Sequence, residues 1–180
     1  MRAVLLCLIL AGCASVPNPV GSPEAQRQRQ TYIDSHPNWA FSGRLAFAHA
    51  GKGGTAQIFW QQTGSLTELR LNAPLSLGAA RIVFTPQQAK LYDGAGNEVQ
   101  SGPTAQLFES LLGVSVPVAE LISGVRGGYS ATGAVSDSGW QWQYGRWVNA
   151  PAVLPTQIEV RLKQSHLRIV VERWQEIPND

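Results

Sequence analysis

Across most of the chain, apolar side chains recur at every second position. Trp39, Phe41, Leu45 and Phe47 share one phase, with Ser42 and Arg44 on the other. Ala56, Ile58 and Trp60 alternate with Gln57 and Gln61, Leu69 and Leu71 with Glu68 and Arg70, and Ile82 and Phe84 continue the pattern. Shorter segments follow near residues 89–92 and 97–100, and the period returns at Trp140, Trp142 and Tyr144. The last two stretches carry Ile158, Val160 and Leu162, then Leu167, Ile169 and Val171. Side chains of a strand alternate between its faces, so this period predicts strands with one dry and one wet side. Roughly nine to eleven are expected, enough for a barrel or half-barrel. Ala50-Gly51-Lys52-Gly53-Gly54 reads as a hairpin loop, because it lacks both the spacing and the following helix of a phosphate-binding loop.

Three segments break the period. Ser22-Pro23 has the form of a helix N-cap with proline at the first helical position, and the polar run to Asp34 continues as a helix that Pro37 stops. Its side chains read as mostly a solvated face, with no function assigned. Pro103 opens a second helix with Leu107, Phe108, Leu111 and Leu112 on one face and Gly113 as its stop. Pro117 opens a third, with Val118, Leu121, Ile122 and Val125 at helical spacing. The fold class is therefore mainly β with a few helices, a curved antiparallel barrel or half-barrel covered by those helices. Cover by so few helices leaves room for a cavity against the apolar face.

The N-terminus has its own pattern. Arg2 precedes an unbroken apolar run from Ala3 to Leu10, too short for the about 20 residues that span a bilayer. Leu10-Ala11-Gly12-Cys13 then has the form of a lipobox. Residues 1–12 are expected to be a signal peptide, Cys13 the lipidation site, 13–22 a lipidated tether and 23–180 a single domain. Ala14 follows the cysteine rather than an Asp, which favours the outer membrane over inner-membrane retention. Arg2 is one of 14 basic residues, so its loss with the leader leaves 13 against 12 acidic ones. That balance argues against nucleic acid and against polybasic attachment to lipid; the anchor must come from acyl chains.

Catalytic chemistry is not legible. His36 sits before a proline, His49 near a hairpin tip and His166 on the polar phase of a strand, none with partners at metal-ligand spacing. No histidine is expected on an apolar strand phase, so apolar ligand binding should not change through the histidine pH range. Glu68, Glu159 and Glu172 lie on solvent-phase positions, and there is no nucleophile elbow. No enzyme activity, metal or cofactor is expected. The unusual segment is Asn72-Ala73-Pro74-Leu75-Ser76-Leu77-Gly78, a turn that carries two leucines where turns are usually polar. Leu75 and Leu77 either fold back onto the sheet end or form a projecting apolar finger. Trp60 and Trp140 stand as candidates for the lining of a cavity, or for ordinary core.

Several segments in order resemble the LolB family of outer-membrane lipoproteins. They are Phe59-Trp60-Gln61-Gln62-Thr63-Gly64, Ala73-Pro74-Leu75, Gly113-x-x-x-Pro117-x-x-x-Leu121 ending at Gly127, Trp140-x-x-x-Tyr144-Gly145 and the stretch from Pro155 to Trp174, all behind a lipobox. The resemblance implies a half-open β-barrel enclosing an apolar cavity for the acyl chains of client lipoproteins. It implies a LolA-like periplasmic carrier as donor, the outer membrane as destination, a monomer, and a membrane-delivery loop with its leucine at Leu75. Two positions depart from the family pattern: Ser76 replaces a glycine, and Gly124 replaces a tryptophan, deleting a ring from the cavity side. A structural or assembly scaffold without a lipid pocket is the alternative.

Overall fold

Alternation of wet and dry side chains is realised as antiparallel strands wrapped into one curved sheet. A computed structural model describes residues 20–73, 78–113, 117–130, 133–149 and 152–178. The expected signal peptide, Cys13, most of the tether, and Leu75 and Leu77 lie outside the described residues. Helix α1 (Pro23–Ser35) precedes strands β1 (Trp39–His49), β2 (Lys52–Thr63), β3 (Leu66–Asn72), β4 (Ala79–Phe84), β5 (Gln88–Tyr92) and β6 (Glu98–Pro103). Helices α2 (Thr104–Leu112) and α3 (Val118–Val125) follow, then β7 (Ala134–Val135), β8 (Gln141–Tyr144), β9 (Trp147–Val148), β10 (Leu154–Pro155), β11 (Gln157–Leu162) and β12 (Ser165–Glu176). Ten strands form the main sheet in the order β6-β5-β4-β3-β2-β1-β12-β11-β8-β7, with β9 and β10 as a separate pair. The edges β6 and β7 are not joined among the described residues, so the barrel stays open.

The helices begin and end where proline and glycine punctuate the chain. Ser22 Oγ accepts the Ala25 N–H at 3.1 Å, which satisfies one donor that the first turn leaves orphaned. Pro103 and Pro117 stand at the N-caps of α2 and α3, and Gly113 ends α2 in the left-handed region at φ 72°.

The β1–β2 hairpin is tighter than the glycine cluster suggests. Ala50 and Gly51 alone form the turn, with φ 47° and 80°, the two positive values that match the twist of the flanking strands. Gly53 and Gly54 belong to β2. A Cβ at Gly53 would lie 2.5 Å from the Phe47 carbonyl oxygen, so glycine here permits a close strand pairing rather than a loop.

At one end the concave face is closed by rings. Trp39 stacks on Trp60 with centroids 5.9 Å apart, Phe41 meets Trp174 edge-on at 5.2 Å, and Phe84 meets Phe108 of α2 edge-on at 5.2 Å. Trp174 joins this cluster through a β-bulge. Ser42 pairs with Arg173 but Gly43 with Val171, so Glu172 is the extra residue and the phase of β12 shifts by one.

Helix α1 is not a wholly solvated rod. Arg29 is only 1% exposed, its Nε donates to the Gly127 carbonyl at 2.9 Å, and its guanidinium lies 4.6 Å from the Trp147 ring. Arg126, just past α3, reaches back to the end of α1 and donates to the carbonyls of His36 at 2.7 Å and Ile33 at 3.0 Å. Arg29 is an exception to this mostly solvated face, its long stem allowing burial of a position that reads as polar.

Candidate ligand cavity

The same apolar phase that seals one end of the sheet is left open at the other. Trp39, Phe41, Trp60 and Phe84 are buried, whereas Leu45, Phe47, Leu71 and Leu167 are only half-buried although they face the same way. α2 and α3 cross over this half and bring Phe108, Leu111 and Leu121 to face the sheet across a gap. The result is a cavity of about 250 Å³, lined by these side chains together with Ile58, Trp60, Leu69, Ile82, Leu91 and Ile169. The volume falls just below the roughly 300–1,000 Å³ common for ligand pockets.

The base of the loop between β3 and β4 borders the cavity. Ala73 and Gly78 line the cavity, and the Ala73 N–H donates to the Gly78 carbonyl at 3.1 Å, closing the loop at its base. Gly78 has φ 64°, a left-handed turn that a side chain would strain. The segment between these anchors carries Leu75 and Leu77.

Trp60 lines this cavity and is 2% exposed, so it is core and lining at once. Trp140 lies elsewhere. It lines an adjoining chamber of about 50 Å³ with Trp142, Val160, His49 and His166, separated from the larger cavity by the shared side chains of Phe47, Leu121 and Leu167. His49 corrects a sequence expectation. It continues the inward phase of β1 beyond Phe47, and its Nδ1 lies 2.8 Å from the buried Ser165 hydroxyl. Counting by twos from Trp39 would have placed it there.

The Gly124 departure also has a structural answer. The Trp142 ring occupies the space a Cβ at residue 124 would enter, so an indole fills this region from the sheet instead of from the helix. Tyr144, next on the same face of β8, donates its hydroxyl to the Gly124 carbonyl at 2.8 Å. Burial, first of all, pushes the pKa of that phenol up.

No three His, Cys, Asp or Glu side chains among the described residues converge to hold a metal. No described helix is long and apolar enough to cross a membrane.

An open, curved antiparallel sheet with helices over an apolar concave face defines a class of mainly β protein. A LolA superfamily protein from Nitrosomonas europaea has this fold, with a TM-score of 0.56 over 87% of this chain and 94% of that one, at 11% identity. Residues 37–174 match the family model described as outer membrane lipoprotein LolB, and the chain belongs to the LolB family. An outer-membrane lipoprotein LolB of Xylella fastidiosa strain 9a5c is 31% identical, the match covering 97% of this chain and 92% of that protein. Another from Alkalilimnicola ehrlichii is 28% identical over 98% and 96% respectively.

Proposed function

We propose that this protein receives lipoproteins at the periplasmic face of the outer membrane and passes them into it. The observation that carries this reading is an apolar cavity bordered by the base of a loop bearing two leucines. In this reading residues 1–12 are removed, Cys13 carries the acyl anchor, 13–22 is the tether and 23–180 works as a monomer. A LolA-like carrier presents a client, whose acyl chains enter against Trp60 and its neighbours, with the smaller chamber beside Trp140 as an extension. Such a wall offers dispersion contacts and asks for no hydrogen bonds. No energy source is needed if each host binds the chains more tightly than the last. A difference of about 1.4 kcal/mol draws the exchange tenfold, and the bilayer wins finally because it buries the chains completely. Leu75 and Leu77 form the delivery loop.

Ala80 tests the cavity, since it is part of the lining and is half-buried on β4. Ala80→Trp should fill the space while the sheet stays folded. A fluorescent fatty acid displaced by client lipoprotein from the native chain should bind this variant about tenfold more weakly, a loss of about 1.4 kcal/mol. Uptake from the carrier should fall in parallel. Equal binding to a folded Ala80→Trp would sink the cavity reading.

A further inference from the structure

The loop base has a second side. On the convex face of the sheet, Arg70 of β3 stands directly opposite Arg81 of β4. Like charges in that register repel, yet both are placed with care. Arg70 lies 5.1 Å from the Phe59 ring and Arg81 4.1 Å from the Tyr92 ring, so each guanidinium rests against an aromatic side chain of its own face. Arg44 shares the rung of Gln57, Asn72 and Ala79 that forms the base of the loop. Arg168 pairs with Ala46, two residues farther along β1 in the loop's direction. Arg44 and Arg168 flank a groove on this face together with Asn72 and Ala73.

Acidic residues are present but do not close the set. Glu172 lies 3.0 Å from Arg44, an exposed pair that exchanges partners at little cost, and Glu68, half-buried, accepts from Arg70 Nε at 2.6 Å and leaves the terminal nitrogens of that guanidinium to other anions. Asp93 borders the neighbouring groove, with its carboxylate occupied by the N–H groups of Ala95 and Asn97. Arg168 reaches only to Glu159, at 3.8 Å. Among the described residues no carboxylate lies within ion-pair distance of Arg81.

We propose that Arg44, Arg70, Arg81 and Arg168 form a collar that binds the phosphates of anionic lipid headgroups when the loop meets the membrane. The inference rests on the reading that this loop delivers clients into the bilayer. Depth supports the match. Only four residues, 74–77, join Ala73 to Gly78, and each headgroup layer is about 5–8 Å thick. With Leu75 and Leu77 at the hydrocarbon edge, the base rung sits among the phosphates. The cavity borders the concave side of that rung, so the collar would hold this end of the cavity against the leaflet.

The test uses the mature, acylated chain in vesicles, with Ser76→Cys carrying an environment-sensitive fluorophore. Cys7 leaves with the leader and Cys13 is acylated, so this is the one reactive thiol. Quenching by lipids labelled in their acyl chains reports loop insertion. Insertion should be greater in phosphatidylcholine mixed with phosphatidylglycerol than in phosphatidylcholine alone, and high salt should abolish the difference. Each Arg→Gln change in the collar should weaken the anionic-lipid preference about fivefold, the contribution of one basic residue at a charged surface, and Arg→Lys should restore part of it. Equal insertion in both lipids, or variants indistinguishable from the native chain, would overturn the collar and leave the loop reading standing. No insertion in either lipid would overturn both. Variants that slow uptake from the carrier without changing insertion would assign the collar to protein docking and overturn the lipid proposal.

Discussion

The ring of Trp142 lies over Gly124, in the volume that a Cβ at that position would occupy. Strand and helix therefore meet with an indole on one side and bare backbone on the other. In isolation alanine would favour the helix by about 1 kcal/mol over glycine. Here Gly124→Ala should instead lower stability by about 1–3 kcal/mol, the usual cost of overpacking a filled core. Chemical unfolding measures it. A gain in stability would mean that Trp142 can move away freely, and Trp142→Phe combined with Gly124→Ala should recover part of the loss.

The two buried arginines should behave differently. Arg126 donates to two carbonyls at the end of α1, and burial pushes its pKa down to about 10. Arg126→Met relieves the buried charge but orphans both carbonyls, a net loss of about 2–3 kcal/mol. Arg29 makes one bond, to Gly127, and its two terminal nitrogens have no partner among the described residues. Arg29→Met should cost less than about 1 kcal/mol, because a similar volume replaces an ill-satisfied charge. Urea denaturation of both variants decides it, and a larger loss at Arg29 contradicts the ranking.

Stability should decline in alkali. Burial raises the pKa of Tyr144, and burial together with the Glu176 carboxylate raises that of Tyr32. A phenol whose folded pKa lies above its unfolded value of about 10 binds its proton more tightly when folded. Its stabilising contribution is full below that value and is lost as pH rises through the folded pKa. Arg126 works the other way: its folded pKa of about 10 lies below the ordinary 12.5, so its burial cost eases over that interval. Two tyrosines against one arginine leave a net fall. Tyr144→Phe should cost about 1 kcal/mol near neutrality for the lost bond to Gly124, and should flatten the alkaline limb. An unchanged limb in melting curves taken across pH would contradict this assignment.

Receiving and releasing a client should separate at Leu75. Leu75→Glu is expected to leave folding and uptake from the carrier nearly intact, since turn residues carry little core packing. Delivery to liposomes should fall, because a charge at the loop opposes contact with hydrocarbon. Leu77 shares the loop, so the double change should be more severe. If the variant melts lower and loses uptake and delivery alike, Leu75 is a packing residue and the delivery role fails.

Much of the architecture was readable because each long strand keeps one wet and one dry face, and because Pro23, Pro103, Pro117 and Gly113 mark helix ends by backbone chemistry alone. What escaped depended on partners distant in sequence. Arg29 reads as solvent-exposed, and its burial follows from the Gly127 carbonyl and the Trp147 ring. The bulge at Glu172 leaves no compositional mark, yet it turns Trp174 inward. Trp60 and Trp140 share a phase in the sequence but line different cavities, since period two gives a face and not a position along the curved sheet. The loss of a helix tryptophan at Gly124 looked like an empty space until β8 filled it.

The unequal closure of the concave face gives the molecule a stiff heel and a compliant toe. Around Trp39, Trp60 and Phe84, ring is locked against ring, so amide hydrogens there should exchange only when the whole chain unfolds. At Leu45, Phe47, Leu71 and Leu167 one flank of each side chain is free, while α2 stays tied to the heel through Phe108 against Phe84. Under the proposed function the gap of about 250 Å³ is a resting capacity, and a bulkier guest should be accommodated by widening at the toe. A guest should accordingly slow exchange in α2 and α3 far more than in β1 near Trp39.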